Sequence, residues 1–238
     1  MTTAGIDIGG TKIEVQVFDD SWTEIARRRV STPQAYSEIV AAVVDQMNWA
    51  EQEAGPIAAV GIGAAGLVNP ITGAALTANL SASGHPFPAD IAEKAGRRIT
   101  YVNDCRALAL SEAVFGAGQG ARTVMALIIG TGVGGGIAVD QGLLPGPTAT
   151  GGEFGHTSAP AHVVAAHRLP LYECGCGRLG CIETYVAGPG LQRLAEFVTG
   201  QNVTTQEIAA RRDSDMSLVW SIWCEFAADM LTIWRRKT

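Results

Sequence analysis

The chain has 238 residues, 47% hydrophobic and 17% charged, which is enough apolar material for a sizeable core and excludes a disordered chain. A formal net charge of −6 excludes a non-specific nucleic-acid binder, which needs basic stripes to meet phosphates.

The start, Met1-Thr-Thr-Ala-Gly-Ile-Asp7, has no positive segment and no apolar h-region of a signal peptide. Residues 4–18 read as strand, glycine turn, strand, with apolar residues alternating on both sides of Gly9-Gly10-Thr11-Lys12. Residues 35–54 have helical spacing, with Ile39, Val43, Val44 and Met47 on one stripe. Ala58 to Gly63 and Ile99 to Val102 read as short buried strands, the second ending at Asn103-Asp104. A helix follows, with Leu108, Leu110, Ala113 and Val114 as its apolar side, and Gly116 to Gly120 is expected to be a hinge. Residues 123–139 repeat the strand, glycine turn, strand pattern about 120 residues after the first, which suggests internal duplication. Their apolar run falls short of the ~20 residues of a membrane span, so a cytoplasmic protein with reduced cysteines and no membrane partner is expected. After a cysteine-rich segment the chain turns helical. Thr204-Thr-Gln-Glu207 is a capping box, and Val219, Ile222, Trp223, Phe226, Met230, Ile233 and Trp234 form a stripe. Strands mixed with helices and two similar hairpins predict an α/β protein of two lobes, 1–118 and 119–238.

Three constellations carry chemistry. The first is the pair of glycine tips. Gly130-Thr131-Gly132-Val133-Gly134-Gly135 satisfies the dinucleotide fingerprint, but it opens a strand where that fingerprint must open a helix. A glycine hairpin still presents backbone N–H groups to phosphate oxygens, with hydroxyls from Thr11 and Thr131 and charge from Lys12; ordinary hairpin turns are the plainer alternative. Asp7 beside the first tip would repel phosphate unless a cation intervenes, which implies Mg2+ held through water. The second is Asn103-Asp104. Asp104 is either an ordinary helix N-cap or a general base for a substrate hydroxyl, with Asn103 hydrogen-bonding that substrate. The third is Cys174-Gly-Cys176-Gly-Arg-Leu-Gly-Cys181, which with His156 forms a closed Cys3His set suited to a structural zinc. Glu153 and Glu183 flank these ligands, either as solvated loop charges or as partners for a hydroxyl-rich ligand. Cys105 and Cys224 read as core cysteines, and His85, His162 and His167 as loop residues without a role.

Taken in order, Asp7-Ile-Gly-Gly-Thr-Lys12, Asn103-Asp104, Gly130 to Gly136, Gly152-Glu-Phe-Gly-His156 and Cys174 to Glu183 resemble the ROK family (repressor, open reading frame, kinase) over nearly the whole chain. Within it, Asn79-Leu-Ser-Ala-Ser-Gly-His-Pro86 and Leu169-Pro-Leu171 are similar to bacterial N-acetylglucosamine kinases; the fructokinase branch typically has Trp where Phe154 stands. The resemblance implies an actin-like ATPase fold with ribonuclease-H-type lobes, its second lobe incomplete at the C-terminus. It implies ATP-dependent phosphorylation of a hexose or N-acetylhexosamine, N-acetylglucosamine first among them. Glucokinase, fructokinase and N-acetylmannosamine kinase activities, or a non-catalytic sugar-binding remnant, are the alternatives. By motif, Asp104 would be the base, and Asn103, Glu153, His156 and Glu183 would bind the sugar, with Ser83 and Gly84 close by. His156, Cys174, Cys176 and Cys181 would hold structural Zn2+. Asp7, Gly9 to Lys12 and Gly130 to Gly135 would serve Mg2+ and ATP. Dimers are common in the family; its repressors carry an N-terminal helix-turn-helix, whereas this sequence starts at the first phosphate loop, so a DNA-binding role is not expected.

Two departures stand out. The usual Ala-Asn after the catalytic pair is Cys105-Arg106 here. Family members also continue into a Gly-Gly-Gly adenosine loop and a last helix that packs on the first lobe; without them adenine would have no pocket and activity is expected to be weak or lost.

Overall fold

The computed structural model describes every residue except Pro145, Pro147, Arg212 and 233–238; for 231 and 232 it describes the backbone alone. Ile233 and Trp234 of the expected stripe therefore lie outside the described residues. Tertiary contacts divide the chain into two units, Met1–Ala126 with Gly136–Gly152, and Leu127–Gly135 with Glu153–Thr238. The units interleave in sequence, whereas a single division at 118/119 was expected.

The first unit is built on a five-stranded sheet of order β3-β2-β1-β4-β7. These strands are β1 (Thr3–Ile8), β2 (Lys12–Phe18), β3 (Glu24–Ser31), β4 (Ala59–Ala64) and β7 (Thr100–Asn103). β1, β2 and β3 run antiparallel in sequence, while β1, β4 and β7 run parallel. The period of two sorts the faces. Ala4, Ile6, Ile8, Ile13, Val15 and Val17 are buried in one core cluster with residues of α1 (Tyr36–Ala54) and α2 (Phe87–Ala95). The opposite face carries Gly5, Asp7, Glu14, Gln16, Gly61 and Gly63, with Asp7 opposite Glu14 on β2 and Gly63 on β4. The short pair β5 (Leu67–Val68) and β6 (Ala75–Leu76) forms a separate ribbon.

α3 (Asp104–Val114) starts where β7 ends. Its buried residues are Arg106, Ala109 and Ala113, so the apolar stripe expected at Leu108 and Leu110 is misphased; both leucines are only half-buried. Gly116 and Gly118 are tightly packed. A Cβ on Gly116 would lie 2.2 Å from Glu112 Oε2, and one on Gly118 would lie 2.6 Å from Val124 Cγ2. They do not sit at a boundary between units, as a hinge would.

β8 (Thr123–Ile129) and β9 (Val133–Val139) form the second hairpin, extended by β10 (Gly142–Leu143). The rest of the second unit is helical: α4 (Ala161–Ala166), α5 (Glu183–Val186), α6 (Gly188–Thr199), α7 (Thr205–Ala210) and α8 (Ser214–Thr232). Its core joins Tyr185, Leu194, Ile208, Met216, Val219 and Phe226. The capping box at Thr204 is formed in both directions, to and from Glu207. Val219, Ile222, Phe226 and Met230 are buried as the helical spacing requires. Cys224 is exposed, because it falls off that stripe and not in the core. His162 lies on α4 and not in a loop, and His167 just beyond it; they face Asp229 at 3.9 Å and Glu225 at 3.0 Å on α8. Among the described residues no helix is long and apolar enough to cross a membrane.

Candidate active site

In the first unit the β1–β2 turn is closed by Gly9 N–H donating to Lys12 O at 2.9 Å, and by Thr32 Oγ1 donating to Gly9 O at 2.7 Å. Thr11 and Lys12 are exposed at its tip. Gly10 must be glycine, since an added Cβ would lie 2.7 Å from Asn79 O. The loop holding Ser83 and Gly84 is therefore seated against this turn. Ser83 Oγ is engaged within its own loop, donating to Thr77 O at 2.7 Å and accepting from Thr77 N–H at 2.9 Å. Gly84 takes φ +83°, a left-handed turn that favours glycine.

Asp7 faces the glycine-lined side of the sheet. Partial desolvation raises its carboxyl above the ordinary range; Lys12 opposes the rise, and the Asp104 and Glu14 carboxylates add to it. Asp7, Glu14 and Asp104 line one recess of about 420 Å³ with Gly5, Gly61 and Gly63.

The N-cap of α3 is Asn103, not Asp104. Asn103 Oδ1 accepts from the N–H groups of Cys105 at 3.0 Å and Arg106 at 3.3 Å. Its Nδ2 donates to Gly66 O and to Asp104 Oδ1, both at 2.9 Å. Asp104 Oδ1 also accepts from Cys105 N–H at 2.9 Å. One carboxylate oxygen of Asp104 is thus held by two donors, while Oδ2 has no hydrogen-bond partner among the described residues. A carboxylate fixed through one oxygen can take a proton on the other.

In the second unit Gly130, Thr131 and Gly132 are exposed at the β8–β9 tip, closed by Gly130 N–H donating to Gly132 O at 2.9 Å. Val133, Gly134 and Gly135 belong to β9 itself. The Val133 N–H donates to Glu183 Oε2 at 3.2 Å, so that amide already has a carboxylate partner. Gly155 fits only as glycine, since a Cβ there would lie 2.2 Å from Val133 O. This brings the short 3-10 turn Phe154–His156 against the start of β9. Glu153 is half-buried at the head of that turn.

His156, Cys174, Cys176 and Cys181 converge, with their ligand atoms all within 4.8 Å of one another. Cys174 Sγ lies 3.5 Å from His156 Nδ1, and Cys176 Sγ lies 3.5 Å from Cys181 Sγ. Ligands about 2.0–2.3 Å from a tetrahedral zinc stand at comparable separations, so the donor set fits that ion. The knuckle is tied by Cys174 N–H donating to Arg178 O and Gly177 N–H to Cys174 O, both at 2.8 Å, with Gly177 at φ +83° and Gly180 at φ +70°. Burial raises the Cys174 and Cys181 thiols. The backbone N–H and the guanidinium of Arg178 bring exposed Cys176 down to about 6. Glu183 bridges this cluster to the glycine tip: Cys174 Sγ donates to its Oε1 at 3.0 Å, and His156 Nδ1 lies 3.5 Å from the same oxygen.

Two features escaped the sequence reading. Arg178 also donates to His156 O at 2.7 Å, so it braces both ends of the cluster. A recess of about 580 Å³ lies beside the second glycine tip, lined by Gly130, Thr131, Gly188, Gln192, Trp220 and Trp223. Gly188 at the head of α6 donates to Gly130 O at 2.8 Å. Pro189 after Gly188 is a helix-start signal that could have placed α6 there.

Comparison with known proteins agrees with this geometry. The profile described as ROK family matches residues 3–235. An N-acetylgalactosamine kinase of Shewanella sp. (strain ANA-3) is 43% identical over 203 residues, covering 84% of this chain and 66% of that protein. An N-acetyl-D-glucosamine kinase of Photobacterium profundum is 38% identical over 208 residues, 86% of this chain and 69% of that one. The chain thus spans about two thirds of the length of these curated relatives. Among solved structures, a ROK hexokinase from Thermus thermophilus superposes with a TM-score of 0.86 at 29% identity, covering 98% of this chain and 76% of that chain. A ROK glucokinase from Streptomyces griseus, solved with glucose and AMPPNP, gives 0.74 at 29% identity, covering 98% and 78%. The fold is the actin-like ATPase fold.

Proposed function

The chain belongs to the ROK family, and from that premise we propose that it transfers the γ-phosphoryl group of ATP to the 6-hydroxyl of an N-acetylhexosamine, with N-acetylglucosamine as the first candidate. The observation that carries this reading is Asp104, pinned through Oδ1 by Asn103 Nδ2 and Cys105 N–H and open at Oδ2. The sugar hydroxyl gives its proton to Oδ2 as its oxygen bonds to the γ-phosphorus. The bond to the β,γ-bridging oxygen breaks, and ADP leaves with that electron pair. Phosphoryl transfer asks mainly for positioning and charge neutralisation. Thr11, Lys12 and the amides of Gly10, Thr131 and Gly132 are suited to phosphate oxygens, since the Gly9 and Gly130 amides close their own turns. Asp7 is suited to Mg2+ through water; the ion would neutralise phosphate charge. The nucleoside is assigned to the recess beside Trp220 and Trp223, whose rings suit a base, and its phosphates to the side next to the head of α6, where a helix N-terminus favours anions.

Glu153, His156 and Glu183 are assigned to the sugar, and Ser83 and Gly84 to the loop bordering it. Asn103 keeps a supporting role through Asp104, since both ends of its amide are engaged within the protein. His156, Cys174, Cys176 and Cys181 would hold zinc, which supplies a rigid closed sphere and no activated water. If Nδ1, which lies 3.5 Å from Cys174 Sγ, were the ligand atom, His156 would keep Nε2 for a hydroxyl.

A second reading within the same chemistry has a specific observation behind it: the 43%-identical Shewanella relative is an N-acetylgalactosamine kinase. The two sugars are C4 epimers. Initial rates with ATP and a panel of N-acetylglucosamine, N-acetylgalactosamine, N-acetylmannosamine, glucose and fructose separate the readings. A preference for either of the first two, with 6-phosphate product, supports the proposal. Equal rates across the panel, or ATP hydrolysis without sugar phosphate, contradicts it.

A further inference from the structure

Arg106 lies two residues beyond the base, and neither capping nor catalysis accounts for it. The residue is only 9% exposed, so its charge needs partners inside the protein. Both acceptors are backbone carbonyls: Nε donates to Gly151 O at 3.2 Å and Nη2 donates to Ala149 O. The planar guanidinium fork thus grips two carbonyls two residues apart on one strap of chain.

That strap is conformationally unusual. Ala149 has φ +55°, a left-handed setting that a residue with a Cβ rarely holds unaided, and Gly152 has φ +102°. Glu153, assigned above to the sugar, follows Gly152 directly. The turn that carries Arg106 cannot give way towards β9, because a Cβ on Gly136 would already lie 2.8 Å from Arg106 Cα and from Ala109 Cβ. A fixed helix turn therefore holds a strained strap through one side chain.

We infer that Arg106 is a positioning residue for sugar binding: it locks residues 149–152 in the conformation from which Glu153 departs, and so sets affinity for the N-acetylhexosamine. This rests on the proposed role of Glu153. Lysine carries the charge without the fork and cannot grip both carbonyls in the same way.

The test uses the full chain and its Arg106→Ala, Arg106→Lys and Arg106→Ala/Ala149→Gly variants. Hydrogen exchange is followed by mass spectrometry on the peptide spanning 148–153, and binding of N-acetylglucosamine and N-acetylgalactosamine by titration calorimetry. In Arg106→Ala, exchange at 149–152 should accelerate about tenfold or more while α1 keeps its protection, and sugar affinity should fall by about tenfold. Arg106→Lys should fall between parent and Ala. The added Ala149→Gly should recover part of the lost affinity, because glycine accepts the positive φ without a clamp. Unchanged exchange in both single variants overturns the clamp. Faster exchange with sugar affinity within about twofold of the parent overturns the positioning role. If the parent binds neither sugar, the kinase reading falls and the sugar role with it, while the exchange result still decides whether Arg106 holds the strap.

Discussion

At the scale of single residues, Asp7 and Cys176 carry charges that their surroundings push in opposite directions. The Asp7 carboxyl is raised above its ordinary 3.8, chiefly by desolvation. The folded state then binds the proton more tightly than the unfolded chain. Stability on this account falls as pH rises from the ordinary value through the raised one, and at pH 7 the ionised group works against folding. Asp7→Asn should therefore melt no lower than the parent at pH 7 by circular dichroism. If Asp7 holds Mg2+ through water, the same variant should lose Mg·ATP affinity by about 10–100-fold. Cys176 is drawn the other way, to about 6, by Arg178. With chelator present, iodoacetamide should label Cys176 ahead of Cys174 and Cys181, with a rate that rises through about pH 6; if the cluster holds zinc as proposed, added Zn2+ should suppress the labelling, as read by peptide mass spectrometry. The Cys3His set was legible in the sequence because metal-ligand chemistry confines it to few residue types, and its four side chains do converge; Asp7 and Asp104 line one recess, and their roles are proposals. Which of Asn103 and Asp104 caps α3 was not legible, because both are good N-caps and only the backbone geometry decides.

At the scale of elements, the glycine tips and the capping box at Thr204 were readable from local rules, since turns and caps depend on neighbours in sequence. The phase of α3 was not. Its buried face contains Arg106, which hydropathy places outside, and its acceptors Ala149 and Gly151 lie far along the chain. Gly136 belongs to the same problem. In sequence it is one of several glycines after a turn; in the fold it is where β9 passes the first turn of α3. Gly136→Ala should destabilise the chain by about 1–3 kcal/mol through overpacking. A thermal melt of a chain this size should then fall by about 2–4 °C per kcal/mol. Gly61→Ala is the control: nothing lies within 4 Å of its added Cβ, and its melt should match the parent's.

At the scale of the whole molecule, the fold class was legible because strand and helix periodicities alternate clearly and the family motifs occur in order. The interleaving of the two units was not, because the β8–β9 hairpin belongs partly to each and no composition change marks residues 126, 135 or 152. The second unit supplies the Cys3His cluster, Glu183 and the recess beside Trp220; the first supplies Asp7, Asn103 and Asp104. The proposed roles therefore assign sugar affinity mainly to side chains of the second unit and turnover to Asp104. The most direct test is to compare parent and Asp104→Asn for N-acetylhexosamine affinity and for ATP-dependent formation of the sugar 6-phosphate. The account predicts sugar affinity within about twofold and product formation lowered by about 10²–10⁴-fold. Undiminished product formation in Asp104→Asn would contradict it.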